Sequence, residues 1–470
     1  MAKRRQDQNH LVVISMDGLS EHERDAIASL PAFSRLLARG TRIGSLEGVY
    51  PTLTYVLHAT MMTGCHPDSH GIDHNHPLQP WVPGKQQRWY WYARELRRPS
   101  LFDVARQAGL STAAVLWPLV SGAAIRWNLP EIVALPGENQ ILKALKAGSP
   151  AFLLDLQARF GRYRKGSQQP FLDDFVSRSA AYTIRRKQPN LLMTHLIGID
   201  DAKHHHGSDS ELTRAALLHQ DVCLGRILDA VEDAGISGRT SIVVLGDHGH
   251  IDTIRRVRLN RMLVEAGLGP VDGDRMPADP GKTAGSGQSA GRGQSAGRGQ
   301  SAGRGKTSEW QYWFRCAGGS AYLHLRDRST GTAATGDETA VAEAASLLER
   351  WKADPQLGIA AVHSGQQLES LRGGSGAVFA IDAEPGVQFV EETEGLTVEY
   401  SPQPGAFGAD HGYPPWTPGY RSLFMAAGAG IREGADPGRF GMVGVAPTLA
   451  RLLGLDFPAC DGVVNESILM

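Results

Sequence analysis

The stretch Leu11-Val-Val-Ile-Ser-Met16-Asp17-Gly18 decides the fold. A run this short, apolar at successive positions, reads as a strand covered on both faces, as in a parallel sheet. Asp17-Gly18 then sets a carboxylate and a turn at its C-terminal end, where open α/β sheets gather their ligands. Outward from this strand the pattern alternates. A helix is expected over 31–40, closed by Gly40, followed by buried strands over 111–117 and 191–197. A long helix over 208–235 and a strand over 241–245 come next. A strand over 422–427 and a helix over 446–454 resume the pattern near the end. Such alternation predicts an α/β fold: a mostly parallel central sheet with helices on both faces.

Composition narrows the class. The chain has 470 residues, 41% of them hydrophobic, which is ample for a real core. The net charge of −1 argues against a generic surface for a nucleic-acid polymer or a membrane. Lys3-Arg4-Arg5 is followed by a polar segment, not an apolar one, and no stretch approaches 18 apolar residues. Neither a signal peptide nor a membrane span is expected, and the expected compartment is cytoplasmic. The four cysteines are scattered with no CxxC pair, so no thiolate metal site or disulfide scaffold is expected. Histidine is the unusual residue: there are 17, several close to Asp.

One segment breaks the pattern. Over 271–307 the chain is rich in Gly, Ser, Arg and Gln, and Gly-Gln-Ser-Ala-Gly-Arg recurs from Gly287, Gly293 and Gly299. With almost no apolar side chains it reads as a flexible linker. The expected organisation is therefore a catalytic α/β core over 8–265, the repeat linker, an inserted cap subdomain over 310–400, and the rest of the core over 401–470. A helix is expected over 340–352 within the cap.

Five short motifs supply the chemistry. Asp17-Gly18 follows the first strand. In Pro51-Thr52-Leu53-Thr54, either threonine can cap a helix running to Thr63, and a helix N-terminus favours a bound phosphate. Ile199-Asp200-Asp201-Ala-Lys203-His204-His205 offers two Asp/His pairs four apart, in either of two registers, each able to grip one cation. Asp247-His248-Gly249-His250 follows a strand, and Asp410-His411-Gly412 lies in a Gly/Pro-rich loop.

Their order resembles the nucleotide pyrophosphatase/phosphodiesterase family of the alkaline phosphatase superfamily, in its bacterial members. The matching segment runs Pro51-Thr-Leu-Thr54-Tyr55, His58, Thr63-Gly64, Pro67, then Ser69-His70-Gly71-Ile72 and Asn75. The resemblance spans residues 10–265 and 310–470. It implies an alkaline phosphatase-like fold and two zinc ions, other divalent metals being compatible. Asp17, Thr54, Asp247 and His248 match one metal site; Asp200, His204 and His411 match the other. Gly207 matches a family glycine and favours the Asp200/His204 register. Thr54 matches the nucleophile and Asn75 the residue that binds a phosphate oxygen. Tyr55 stands at a substrate-facing position, where it either stacks on a ring or packs the pocket wall.

The implied reaction is hydrolysis of a phosphodiester or pyrophosphate bond in a small nucleotide-like phosphoester, through a phosphothreonine. The alternative is a phosphomonoesterase or phosphonate hydrolase on the same metal core. A non-catalytic binding protein is disfavoured because every matched ligand position is filled. Leu53, Tyr55 and Val56-Leu57 depart from better-known members and weaken the analogy of substrate. Trp81 and Trp89-Tyr-Trp-Tyr92 are read mainly as packing, and Asp410 as a residue that either orients His411 or is solvated.

Overall fold

The computed structural model describes residues 9–80, 82, 86–269, 310–326, 333–334 and 337–470. The repeat linker expected over 271–307 and Trp81 lie outside the described residues.

The expected strand is β1, His10–Met16, and all seven of its residues are buried. Its side chains alternate between two apolar layers. Leu11 and Val13 pack with Leu57, Met61, Phe424 and Leu449. Val12, Ile14 and Met16 pack with Phe33, Val176, Leu224 and Val231. A strand apolar on both faces is thus the middle of a three-layer sandwich.

Seven further strands complete the sheet: β2 (Gly44–Glu47), β3 (Thr112–Val115), β4 (Trp127–Leu129), β5 (Leu191–Leu196), β6 (Thr240–Gly246), β7 (Ser422–Gly428) and β8 (Arg439–Gly441). Their order is β8-β2-β7-β6-β1-β5-β3-β4. β1 runs parallel to both neighbours, with Met16 opposite Leu196 of β5 and Gly246 of β6. Only β7 runs against its neighbours, β6 and β2. The sheet is therefore mixed but mostly parallel, as the strand–helix alternation predicts.

The helices on one face include α1 (Pro31–Leu37), α3 (Phe171–Lys187) and α5 (Glu211–Asp233); α2 (Thr54–Thr63) and α7 (Val445–Leu452) cover the other. Helix α4, Gly198–His206, follows β5 directly. Every residue of α2 is buried, which explains why its sequence is apolar around most of its circumference. No described helix is long and apolar enough to cross a membrane.

A second region follows β6. Strands Tyr312–Cys316, Ser320–Arg326, Ala333–Ala334, Ile359–His363 and Phe379–Ala383 form one sheet, covered by helix α6, Glu338–Lys352. Strand Arg255–Arg258 lies between Val387–Val390 and Val398–Tyr400. Val257, Leu259 and Leu263 share an apolar cluster with Tyr312, Phe314 and Leu348. The chain before the repeat and the chain after it meet in that cluster. A short ladder pairs Ile251–Asp252 with Ala409–Asp410 and carries His411 back over the end of the main sheet.

Candidate metal centre

Three neighbouring strands deliver carboxylates to one edge. Asp17 follows β1, Asp247 and His248 follow β6, and β5 leads into α4 with Asp200 and His204. Because these strands are parallel, all three C-terminal ends open on the same side. Helix α4 is fixed there by Asp173 of α3. This fully buried carboxylate accepts the backbone N–H groups of Ile197 and Gly198, both at 3.0 Å. It satisfies two of the donors that a helix start leaves free.

Thr54 is the first residue of α2. Neither expected threonine caps that helix: Leu53 is at the cap position, with no side-chain bond. The hydroxyls are used elsewhere. Thr52 Oγ1 donates to the carbonyl of Tyr413 at 2.7 Å, and Thr54 Oγ1 lies 3.2 Å from His248 Nε2. A free amide of the first turn goes instead to Asn75, whose Oδ1 accepts from Tyr55 N at 3.0 Å.

His248 Nε2 is the hub of one cluster. Besides Thr54 Oγ1, it has Asp17 Oδ1 at 3.3 Å and Asp247 Oδ2 at 3.4 Å. Ligand atoms on one tetrahedral cation, with bonds of about 2.0–2.1 Å, lie about 3.3 Å apart. Asp247 is turned for this: its Oδ1 accepts from the backbone of Gly18 and of His248, which leaves Oδ2 for the cluster. Asp17, Thr54, Asp247 and His248 are all buried.

The second cluster adjoins it. Asp200 Oδ1 is 3.2 Å from His204 Nε2, whereas Asp201 and His205, the other register, are largely exposed. Gly207 ends α4 with φ at +82°, a conformation that favours glycine and turns the chain away directly after the histidines. The His411 ring stacks on that of His248 at 3.9 Å between centroids and lies 5.1 Å from the His204 ring. Asp200, His248 and His411 each offer a ligand atom within 4.8 Å of the others. All seven residues matched to metal sites therefore lie in two adjoining clusters.

The electrostatics are those of crowded acidic charge: against burial, Asp200 raises the adjacent His204 to about 10. Burial first, then the charges of Asp200 and Asp247, push the Asp17 carboxyl well above its usual range. Burial lowers His248 and His411 to about 3, so both imidazoles are neutral and keep a lone pair for a metal. Asp17 Oδ1, Asp247 Oδ2, His248 Nδ1 and His411 Nδ1 are buried without a hydrogen-bond partner among the described residues. Crowded carboxylates with unpaired acceptor atoms are costly without a cation and well used with one.

Several further residues surround the two clusters. Asp410 is buried; its Oδ1 faces His204 Nδ1 at 3.7 Å, and its Oδ2 accepts from Gln388 Nε2. Its Oδ1 also accepts from the backbone N–H of His411 at 2.8 Å, so it lies between the two histidines. His195 of β5 reaches Asp17 Oδ2 with Nε2 at 3.2 Å and Glu131 Oε2 with Nδ1 at 3.5 Å. Burial opposes the charged imidazole, but the Asp17 and Glu131 carboxylates prevail and raise it to about 10. His58 donates through Nδ1 to the carbonyl of Thr54 at 2.7 Å and faces Asp247 Oδ2 at 3.8 Å. The His250 side chain is wholly buried, with Nε2 2.9 Å from Asp200 Oδ1.

Tyr55 is fully covered: its ring meets Trp89 edge-on at 5.3 Å, and its hydroxyl donates to Glu131 Oε1 at 2.9 Å. Trp91 is buried in the apolar layer under α2, and Trp89, Tyr90 and Tyr92 pack against that layer.

Comparison with known proteins identifies the family of the chain. The profile of the type I phosphodiesterase/nucleotide pyrophosphatase family matches residues 11–414. Ectonucleotide pyrophosphatase/phosphodiesterase family member 3 of Rattus norvegicus is 24% identical over 257 residues, 52% of this chain and 25% of its own length. Venom phosphodiesterase 2 of Crotalus adamanteus is 25% identical over 255 residues, 52% of this chain and 27% of its own. The matched region is thus about a quarter of the length of these curated relatives. Human ectonucleotide pyrophosphatase/phosphodiesterase 5 superposes with a TM-score of 0.64 at 16% identity, covering 98% of this chain and 100% of the other. An inactive form of the murine protein in complex with AMP gives 0.61 at 15% identity, covering 97% of each. These structures share the fold, and the profile covers most of the chain: it belongs to the type I phosphodiesterase/nucleotide pyrophosphatase family.

Proposed function

We infer that this chain is a metal-dependent hydrolase that cleaves phosphodiester or pyrophosphate bonds in small nucleotide-like substrates through a phosphothreonine at Thr54. The observation that carries this reading is the position of the Thr54 hydroxyl. It lies at the start of a helix, 3.2 Å from His248 Nε2, within the Asp17–Asp247–His248 cluster.

Asp17, Thr54, Asp247 and His248 would hold one zinc ion, and Asp200, His204 and His411 the other. Bound there, such cations lower the pKa of a hydroxyl or water and neutralise charge on phosphoryl oxygens. Thr54 Oγ1 gives up its proton to solvent and attacks phosphorus, the new Oγ1–P bond forms, and the bond to the leaving alcohol or phosphate breaks on the opposite side. The leaving oxygen is protonated from solvent. Water then cleaves the phosphothreonine and restores the hydroxyl. Asn75 has its Oδ1 committed to Tyr55 N, so Nδ2 is the end that can donate to a phosphoryl oxygen. The covered Tyr55 ring contributes to the pocket through this backbone amide and through Glu131, not through an open stacking face. Similarity to a neighbour solved with AMP, as an inactive threonine-to-alanine variant, supports both the threonine and the nucleotide-like substrate.

The test is a panel of p-nitrophenyl esters: bis-p-nitrophenyl phosphate, p-nitrophenyl-thymidine monophosphate, p-nitrophenyl phosphate and p-nitrophenyl phenylphosphonate, with and without chelator. Diester turnover that exceeds monoester turnover and disappears with chelator is expected. Faster monoester turnover would reject the diesterase reading, and indifference to chelator would reject the metal mechanism.

A further inference from the structure

We propose that His250 is a fourth protein ligand of the metal site formed by Asp200, His204 and His411, a proposal that rests on the two-metal reading above.

His250 has no part in the ligand set that the family pattern assigns, yet it is built into the site. It lies two residues after His248. Its side chain is wholly buried, and its Nε2 lies 2.9 Å from Asp200 Oδ1, the same oxygen that faces His204 Nε2 at 3.2 Å. Asp200, His204 and His250 each offer a ligand atom, all within 4.8 Å of one another. The His250 ring is enclosed by the other histidines, 5.2 Å from His204, 5.2 Å from His248 and 5.4 Å from His411.

The spacing suits a shared cation. With bonds of about 2.0–2.1 Å, ligand atoms 2.9 Å apart subtend about 90° and those 3.2 Å apart about 100°. Both separations are within the reach of ligand atoms that share one cation.

The surroundings make room for this ring and for nothing larger at Gly18. A Cβ at Gly18 would come within 2.7 Å of His250 Cε1, and Gly18 also has φ at +74°. The glycine after Asp17 therefore serves two ends: it turns the strand and it admits the imidazole. Nδ1 of His250 is buried without a hydrogen-bond partner among the described residues. A neutral imidazole carries one N–H. In the metal-free chain a proton on Nε2 donates to Asp200 Oδ1 at 2.9 Å; a cation bound between the two takes the Nε2 lone pair, and the ring's one proton then sits on Nδ1.

The experiment compares the wild-type chain with His250→Ala and His250→Gln. Each protein is stripped with chelator, checked for native circular dichroism, and titrated with Zn²⁺ and with Co²⁺. Binding is read by calorimetry and by the visible Co²⁺ spectrum. Glutamine keeps an amide N–H that can hold Asp200, and its carbonyl oxygen is a much weaker ligand than imidazole, with a different Co²⁺ spectrum. The expected result is two ions on the wild type. Both variants should bind one ion unchanged and the other at least about 10–100-fold more weakly, with an altered Co²⁺ spectrum for that ion. Equal affinities and spectra in all three proteins would overturn the assignment. So would a glutamine variant that matches the wild type, because His250 would then act only as a hydrogen-bond donor to Asp200. A wild-type chain that binds no second ion overturns this proposal together with the two-metal reading. Two ions on the wild type and one on both variants, without diester hydrolysis, would support the ligand and reject the proposed reaction.

Discussion

The hydroxyl of Thr54 lies 3.2 Å from Nε2 of His248, a residue 194 positions further along the chain. A threonine at a helix start has a common local use, capping its own helix, and here that use is absent. Its hydroxyl is instead one corner of a cluster with Asp17, Asp247 and His248. Thr54→Ala should lower diester hydrolysis by at least about 10³-fold, because the oxygen that bonds to phosphorus is gone. The remaining ligands should still hold a cation, so metal content by elemental analysis should stay close to wild type. Near-normal hydrolysis by this variant would refute the nucleophile.

Asn75 holds the N-terminus of the same helix through its bond to Tyr55 N. Asn75→Ala removes this acceptor and the Nδ2 donor together. The expected result is a drop in kcat of about 10²-fold, the usual effect of losing one donor to a developing phosphoryl charge. Asn75→Asp keeps the acceptor for Tyr55 N but places a negative charge beside the substrate phosphate, and should be slower still. Steady-state kinetics on bis-p-nitrophenyl phosphate separates the two variants.

The elements that sequence reads well are those with a local signature. β1 is an uninterrupted apolar run, and the structure buries all of it. Helical spacing leaves two Asp/His registers open, and only the family resemblance at Gly207 favours Asp200 with His204; these two side chains meet at 3.2 Å, while Asp201 and His205 are largely exposed. Residues whose partners are distant in the chain leave no such mark. Asp410 meets His204 only because a two-residue ladder folds back on Ile251–Asp252. Glu131 reaches Asp17 only through His195, from a different strand. Thr52 and Thr54 show the converse: a strong local signal for capping is overruled by tertiary partners.

Lys203 sits between the two ligand residues of α4 and is buried against the loop after β1. Its Nζ pairs with Glu23 Oε1 at 2.6 Å and donates to the carbonyl of Gly18 at 2.9 Å. The other Glu23 oxygen accepts from the backbone and the hydroxyl of Ser20. Lys203 thus ties the strand end that carries Asp17 to the helix that carries Asp200 and His204. Lys203→Met would leave the Glu23 carboxylate buried and unpaired, at a cost of about 3–5 kcal/mol in stability. Combining it with Glu23→Gln should recover much of that loss. Denaturant midpoints of the wild type, the two single variants and the double variant close the cycle. Equal losses in the single Lys203 variant and the double variant would show that the buried pair is not the cause.

Glu391 should make stability depend on pH in the direction opposite to that of a salt-bridged acid. Its Oε1 accepts from Cys316 N at 3.0 Å, and ligand atoms of His74 and His76 lie within 4.8 Å. Burial raises its carboxyl from the usual 4.5 to about 7; the Cys316 N–H and the Arg315 charge oppose this, while Glu392 adds to it. Between about pH 4.5 and 7 the folded chain therefore holds a proton that the unfolded chain has released. Stability must fall as pH rises through that window and level off above it. Glu391→Gln keeps an acceptor for Cys316 N and removes the ionisation. The variant should match the wild type near pH 4.5 and exceed it by about 2–3 kcal/mol at pH 8. Every other titratable group is present in both proteins, so the difference between the two denaturation curves isolates Glu391. A difference that does not grow between pH 5 and pH 8 would place the ionisation of this carboxyl in its ordinary range.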